Sequence, residues 1–229
     1  MRAFISYSVA EKEFGGAVKQ ALGNRGVECF LAHEDILVSE EWKARILQEL
    51  REANVFVAVL SANFKASEWC SQELGFIVSR PEVVIVPLSI DHTNPYGFIS
   101  HLQGQYVPDE TAILGIIEDL LWRKVPHGMI PIQIEQVRRA GSFRGAEAAV
   151  RPLMPHFAIF TEQEVVDFAS AAVGNYEVWD AGLCRSAYLP RFVEVNGKRI
   201  PDALKKELKE KVEHLDLPET AAQSGRRED

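Results

Sequence analysis

The sequence predicts an α/β protein: a flavodoxin-like, doubly wound parallel sheet of about five strands, followed by a smaller, mainly α-helical C-terminal module. Three observations point there. Over the first 125 residues, short β-prone runs alternate with stretches of helical spacing, the pattern of βαβ units in a parallel sheet. One of those runs, Val55–Leu60 (VFVAVL), is apolar without alternation, as suits a strand covered on both faces. Beyond Pro126–Pro131 (PHGMIP), which reads as a boundary, strand signals fade and helical ones dominate.

Each element has a local cause. Arg2–Tyr7 (RAFISY) is a first strand. Ser8-Val9-Ala10-Glu11 has the spacing of a capping box, and Phe14, Val18, Ala21 and Leu22 follow at helical spacing. Gly15-Gly16 falls inside that helix and lacks the spacing of a phosphate loop. Asn24-Arg25-Gly26 breaks the helix, and Val27–Leu31 is the second strand. The polar stretch Ala32–Val38 leads to Ser39, an expected N-cap, with two glutamates behind it at the positive end of a second helix. Trp42, Ile46, Leu50 and Ala53 are the buried stripe of that helix. After Val55–Leu60, Ser61–Ala66 reads as a loop and Ser67 as the next cap. Val83–Leu88 is a fourth strand, in which Pro87 marks its end or a nearby edge, because proline cannot donate to a ladder. Gln105–Val107 and Asp109–Arg123 supply a short fifth strand and a closing helix, with Ile113, Ile116, Ile117, Leu120 and Leu121 inward.

These elements set the domain boundaries at 1–125 for the sheet domain, 132–217 for the helical module and 218–229 for a polar, disordered tail. Within the module, Thr161-Glu162-Gln163-Glu164 is a second capping box. It opens a helix with Val165, Phe168, Ala169, Ala172 and Val173 on its apolar side and Gly174 as its stop. Ile134–Arg139 and Ala146–Leu153 are weaker amphipathic stretches, and Leu204, Leu208, Val212 and Leu215 line a last helix.

Composition removes several classes of function. Of the 229 residues, 47% are hydrophobic and 25% charged, and the formal charge is −8. Residues 1–128 hold 11 Lys and Arg against 17 Asp and Glu, and the remainder hold 14 against 16, so neither part is basic and no nucleic-acid partner is expected. No apolar run approaches the ~20 residues of a membrane span, and the opening MRAFISYS is too short for a signal-peptide core. A cytoplasmic protein without a membrane partner is the expectation. Cys29, Cys70 and Cys184 are scattered, with no CxxC and no histidine at metal-ligand spacing; they read as reduced thiols, and no metal is expected.

In a doubly wound sheet, ligands bind beyond the carboxyl ends of the strands, at the switch point between strands one and three. That crevice would be lined by Ser6, Tyr7 and Ser8 after the first strand and by Ser61, Asn63 and Phe64 after the third. On the next helix along the chain, Cys70, Leu74, Ile77 and Val78 form a core stripe. Beside it Trp69, Glu73 and Phe76, at i, i+4 and i+7, form a second one. A carboxylate between two aromatics near this crevice is unusual, although a solvated helix glutamate is the ordinary reading of any single Glu.

These residues resemble a family. FISYS near the start, CFLAHEDI ahead of Ser39-Glu40-Glu41-Trp42, and VAVLSANFKASEWCSQEL, in that order, are similar to the bacterial type of Toll/interleukin-1 receptor (TIR) domain. The resemblance covers about residues 1–125. In the NAD-consuming immune members of that family, a glutamate in a W-C-x-x-E-L block cleaves NAD+. The block stands here as Trp69-Cys70-Ser71-Gln72-Glu73-Leu74, which assigns the catalytic role to Glu73. NAD+ is then the substrate and no cofactor is needed. Substrate contacts are expected from Ser6, Tyr7, Ser8, His33, Asn63, Phe64 and Trp69, with Trp69 offering a flat surface for a ring and the helix start at Ser67 facing a phosphate.

His33, Glu34 and Asp35 fall in the loop that the resemblance marks as serving assembly or substrate gating; without it they are a solvated polar loop. The chain lacks the glycine common near Ser39 and the acidic residue common near Ala32. Trp42 is expected to pack its own helix, and Cys70 to be a core thiol. The resemblance further implies antiviral defence, self-association through TIR domains, and an activating partner or a separate effector that responds to the product. A non-catalytic adaptor working by TIR–TIR association is the alternative of a different class.

Overall fold

The computed structural model describes residues 1–31 and 42–212. Two compact units divide at Pro126 and His127. The first holds a five-stranded parallel sheet in the order β2-β1-β3-β4-β5. Its elements are β1 (Arg2–Ser6), α1 (Lys12–Gly23), β2 (Glu28–Leu31), α2 (Trp42–Glu52), β3 (Val55–Leu60), α3 (Ala62–Ala66), α4 (Glu68–Ile77), β4 (Val84–Ser89), β5 (Gln105–Tyr106) and α5 (Glu110–Lys124). This is the doubly wound α/β fold expected from the sequence.

β3 lies at the centre, and every one of its side chains is buried, so both faces need covering. On one face, Phe4, Phe30, Phe56, Ala58 and Leu60 meet Ile46, Leu50 and Ala53 at α2, and Cys70, Leu74 and Ile77 of α4. The rings of Phe4 and Phe56 stack at 5.7 Å, with Phe30 tilted against Phe4 at 5.4 Å. Beside this core α2 also buries Glu49, which Arg45 meets at 2.7 Å. The turn between α1 and β2 uses Gly26 at φ 83°, a left-handed conformation that favours glycine.

Several elements differ in detail from the sequence expectation. Ser8 caps a short 3₁₀ turn, Val9–Glu11, and not α1; Glu11 does not reach back to it, because its carboxylate is held by other partners. The expected loop Ser61–Ala66 contains the short helix α3, since Ser61 Oγ accepts from the Phe64 amide at 2.9 Å and supplies the cap. Pro87 sits beside an open edge, because β5 pairs with β4 only at Leu88 and Ser89.

The second unit is helical: α6 (Pro126–Arg139), α7 (Phe143–Val150), a 3₁₀ stretch Arg151–Ile159, α8 (Glu162–Gly174), α9 (Tyr176–Trp179), a π turn Cys184–Tyr188, α10 (Leu189–Asn196) and α11 (Asp202–Lys211). Pro126–Pro131, read from sequence as a boundary, contains the division between the two units and is also the start of α6, with Pro131 inside the helix. The Thr161 capping box forms in full, with both backbone contacts present. Phe157, Phe160, Phe168 and Phe192 make this unit's aromatic core, Phe168 and Phe192 with ring centres 4.5 Å apart. The proposed tail 218–229 and Leu215 lie outside the described residues.

The two adjacent glycines of α1 give a clean test of this packing. A Cβ on Gly15 would lie 3.0 Å from Cγ of the buried Tyr7 ring, whereas a Cβ on Gly16 meets nothing within 4 Å. Gly15→Ala is therefore expected to destabilise by about 1–3 kcal/mol through overpacking. Gly16→Ala should stabilise by about 0.5–1 kcal/mol through helix propensity. Urea unfolding of the two variants reads both signs.

Candidate functional site

The site is assembled by the start of α4. Ser67 Oγ accepts from the Cys70 amide at 3.3 Å, capping the helix and setting its rotation. Cys70, Leu74 and Ile77 then enter the core, and Trp69, Glu73 and Phe76 turn toward α2. Between the two helices lies a cavity of about 310 Å³. Its walls among the described residues are Lys43, Ile46, Leu47 and Leu50 from α2, with Trp69, Gln72, Glu73 and Phe76 from α4. At one end Trp42 and Trp69 meet edge-on, ring centres 4.3 Å apart, so Trp42 ties the helix starts together.

Glu73 is only 4% exposed. Ser6 Oγ, at the end of β1 and likewise buried, donates to Glu73 Oε2 at 2.5 Å. Burial pushes the carboxyl up to about 7, and the Ser6 hydroxyl, which stabilises the charged form, pulls the other way. Two further buried glutamates are treated differently. Glu49 lies 2.7 Å from Arg45 and 3.7 Å from Arg2. Glu164 completes the Thr161 box, accepting from the Thr161 amide at 2.6 Å, and faces His127 at 3.4 Å. Among the described residues, Glu73 is the buried carboxylate with neither a cation nor a backbone amide on it. Such a group costs stability, which makes it a functional candidate on physical grounds.

The other expected contacts divide. Ser6 joins Glu73, and Trp69, 40% exposed, borders the cavity. Asn63 is drawn elsewhere: Glu11 Oε1 accepts from Asn63 Nδ2 at 2.8 Å and from Ser61 Oγ at 3.0 Å. Tyr7 and Phe64 are placed elsewhere. Both are buried in the core, Tyr7 with its ring against Gly15, and neither borders the cavity. Ser8 is used by its 3₁₀ turn. His33 lies outside the described residues. Sequence reading missed the whole α2 wall, because the apolar stripe of α2 signals burial without naming the helix it faces.

Cys70 beside this site is a poor nucleophile, its thiol pushed up to about 11 by burial. Among the described residues, no three His, Cys, Asp or Glu side chains are grouped to hold a metal, and no helix is long and apolar enough to cross a membrane. A larger cavity, about 770 Å³, opens at the far end of α4 near Arg80, Phe98, His101 and Lys124. No carboxylate lines it among the described residues, so the smaller cavity is the chemical candidate.

The TIR domain family model matches residues 3–111. These residues form a TIR domain. A solved structure similar to the chain is the TIR domain of the Toll-related receptor TRR-2 from Hydra magnipapillata, at 17% identity, covering 56% of this chain and 96% of that one, with a TM-score of 0.44. No curated protein is significantly similar to the chain. Within the TIR domain, the Ser6–Glu73 pair joins the end of β1 to α4.

The charge on Glu73 should be measurable as lost stability. Its folded-state pKa of about 7 lies above the ordinary 4.5, so the native state binds the proton more tightly, and stability falls as pH rises from about 4.5 to about 7. Glu73→Gln, neutral throughout, is expected to be more stable than the wild type at pH 8 by about 3 kcal/mol. The advantage should vanish by pH 4. Urea unfolding at the two pH values checks it, and an equal difference at both would contradict it.

Proposed function

We propose that this TIR-domain protein cleaves the bond between nicotinamide and ribose in NAD+, with Glu73 as the catalytic residue. The observation that carries the reading is a buried carboxylate, held by one serine hydroxyl, bordering a mostly apolar cavity that has an indole at its rim. Nicotinamide leaves NAD+ as a neutral molecule because its ring nitrogen is already cationic, so no general acid must protonate it. Ordinary glycosidases need two carboxyl groups partly for that protonation. The remaining barrier is a ribosyl cation-like transition state, which one ionised carboxylate stabilises at short range in a low-dielectric site. The positive pyridinium ring also favours the charged form of Glu73 as it enters, lowering the pKa that burial has raised.

The released ADP-ribosyl group then passes to water, closes on itself or goes to another acceptor. Resemblance to bacterial TIR proteins supports a role in antiviral defence, in which the product activates a separate effector or NAD+ loss itself harms the infected cell. It also supports self-association through TIR domains, with the helical unit setting that geometry or sensing an activating partner.

Incubating the purified chain with NAD+ and identifying products by mass spectrometry tests the reading; free nicotinamide is the expected signature. Glu73→Gln should lose turnover by at least ~100-fold while remaining folded. Near-wild-type cleavage by that variant would sink the assignment. The acid limb of kcat/KM should fall near pH 7, where Glu73 ionises in the free enzyme. Ser6→Ala should move the limb to higher pH, because it removes the hydroxyl that stabilises the carboxylate. A limb unmoved by Ser6→Ala would separate Ser6 from the ionisation of Glu73.

A further inference from the structure

Charge is ordered along the cavity between α2 and α4. Its described lining carries two ionisable side chains, Glu73 and Lys43. Exposure rises from Glu73 at 4% to Trp69 at 40%, and Lys43 is exposed. The contact between Trp42 and Trp69 places the two helix starts together, and Lys43 comes directly after Trp42. Glu73 is one turn beyond Trp69, about 6 Å further along the helix axis. The negative group is therefore inside and the positive group is at the mouth. Lys43 makes no ion pair among the described residues, in contrast to Arg45 two residues on, which Glu49 neutralises. Ile46, Leu47, Leu50 and Phe76 make the walls between the two charges apolar.

A ligand matching this order is cationic at its leading end and anionic behind it. The nicotinamide mononucleotide half of a pyridine dinucleotide has that order: a pyridinium ring, a ribose, then a phosphate. At about 310 Å³ the cavity is at the small end of ligand sites, which run ~300–1,000 Å³, a size that suits one half of a dinucleotide. We infer that the site recognises the nicotinamide mononucleotide portion of its substrate, and that Lys43 reads the 5′-phosphate. This rests on the NAD+ reading for the identity of the ring and adds a residue that selects for the phosphate behind it. Lys43 is a specificity residue, since its contact is with the phosphate and not with the bond that breaks.

Two probes differing only in that phosphate, nicotinamide mononucleotide and nicotinamide riboside, test the inference on the full-length chain. Their kcat/KM ratio is measured for the wild type, Lys43→Met and Lys43→Arg, and their Kd ratio by titration calorimetry if neither is cleaved. The preference for the phosphorylated probe should fall about fivefold in Lys43→Met, the scale of a partly exposed ion pair. It should return in Lys43→Arg, which keeps the charge. An unchanged ratio in Lys43→Met, or no binding of either probe to the wild type, overturns the inference. The NAD+ reading fails separately: a chain that binds the mononucleotide through Lys43 yet releases no nicotinamide from NAD+ keeps this site and loses the cleavage.

Discussion

The constraint on which the TIR unit depends is the complete burial of β3. Its side chains leave neither face of the sheet able to meet water, so each face must carry helices, and on the Phe4 and Phe56 face these are α2 and α4. Both helices present narrow apolar stripes to the sheet. Two cylinders lying side by side on a flat surface leave a seam between them, and the residues of each helix that face the other line that seam. Ile46 and Leu50 of α2, which also reach the core, and Trp69, Glu73 and Phe76 of α4 thereby come to enclose one cavity. The site is a by-product of covering the central strand.

This seam is distinguished by how its carboxylate is treated. The fold neutralises its other buried glutamates: Glu49 lies against Arg45, and Glu164 is consumed by a helix start. Glu73 receives only a hydroxyl from Ser6 among the described residues, and burial lifts its ionisation into the neutral range. A neutral isostere would fit the same space with less electrostatic strain. Keeping a partly ionised acid at that position costs stability, the pattern expected where activity needs a group that folding does not. Ser6 moderates the cost, since it ends β1 and so reaches α4 across the carboxyl edge of the sheet, the edge at which doubly wound folds present their chemistry.

The same edge shows how neighbouring residues of one motif are parted by packing. Ser6, Tyr7 and Ser8 are consecutive, but the extended backbone sends alternate side chains to opposite faces. Ser6 meets Glu73, Tyr7 closes against Gly15 of α1, and Ser8 caps a short turn. Three adjacent polar or aromatic groups thus acquire three unrelated tasks.

The amino-acid sequence by itself determined whatever depends on local pattern. The uninterrupted apolar run of Val55–Leu60 could only be an interior strand, the Thr161 and Glu164 pair closes its box within one turn, and Ser67 set the phase that places Trp69, Glu73 and Phe76 on one stripe. Tertiary structure alone decided which groups from distant segments face one another. Glu11 has the spacing to close a box with Ser8 but binds Ser61 and Asn63, fifty and fifty-two residues away, because β1 and β3 are neighbours in the sheet. Pro126–Pro131 is both the division between the units and the opening of α6: Pro126 stands at the first helical position, where proline is tolerated, and the helix continues through Pro131. Ser6 and Glu73 are sixty-seven residues apart, and nothing in the spacing of either indicates a hydrogen bond. Periodicity reports which side of an element is buried; the identity of the opposing group depends on strand order and helix placement, which only the folded chain supplies.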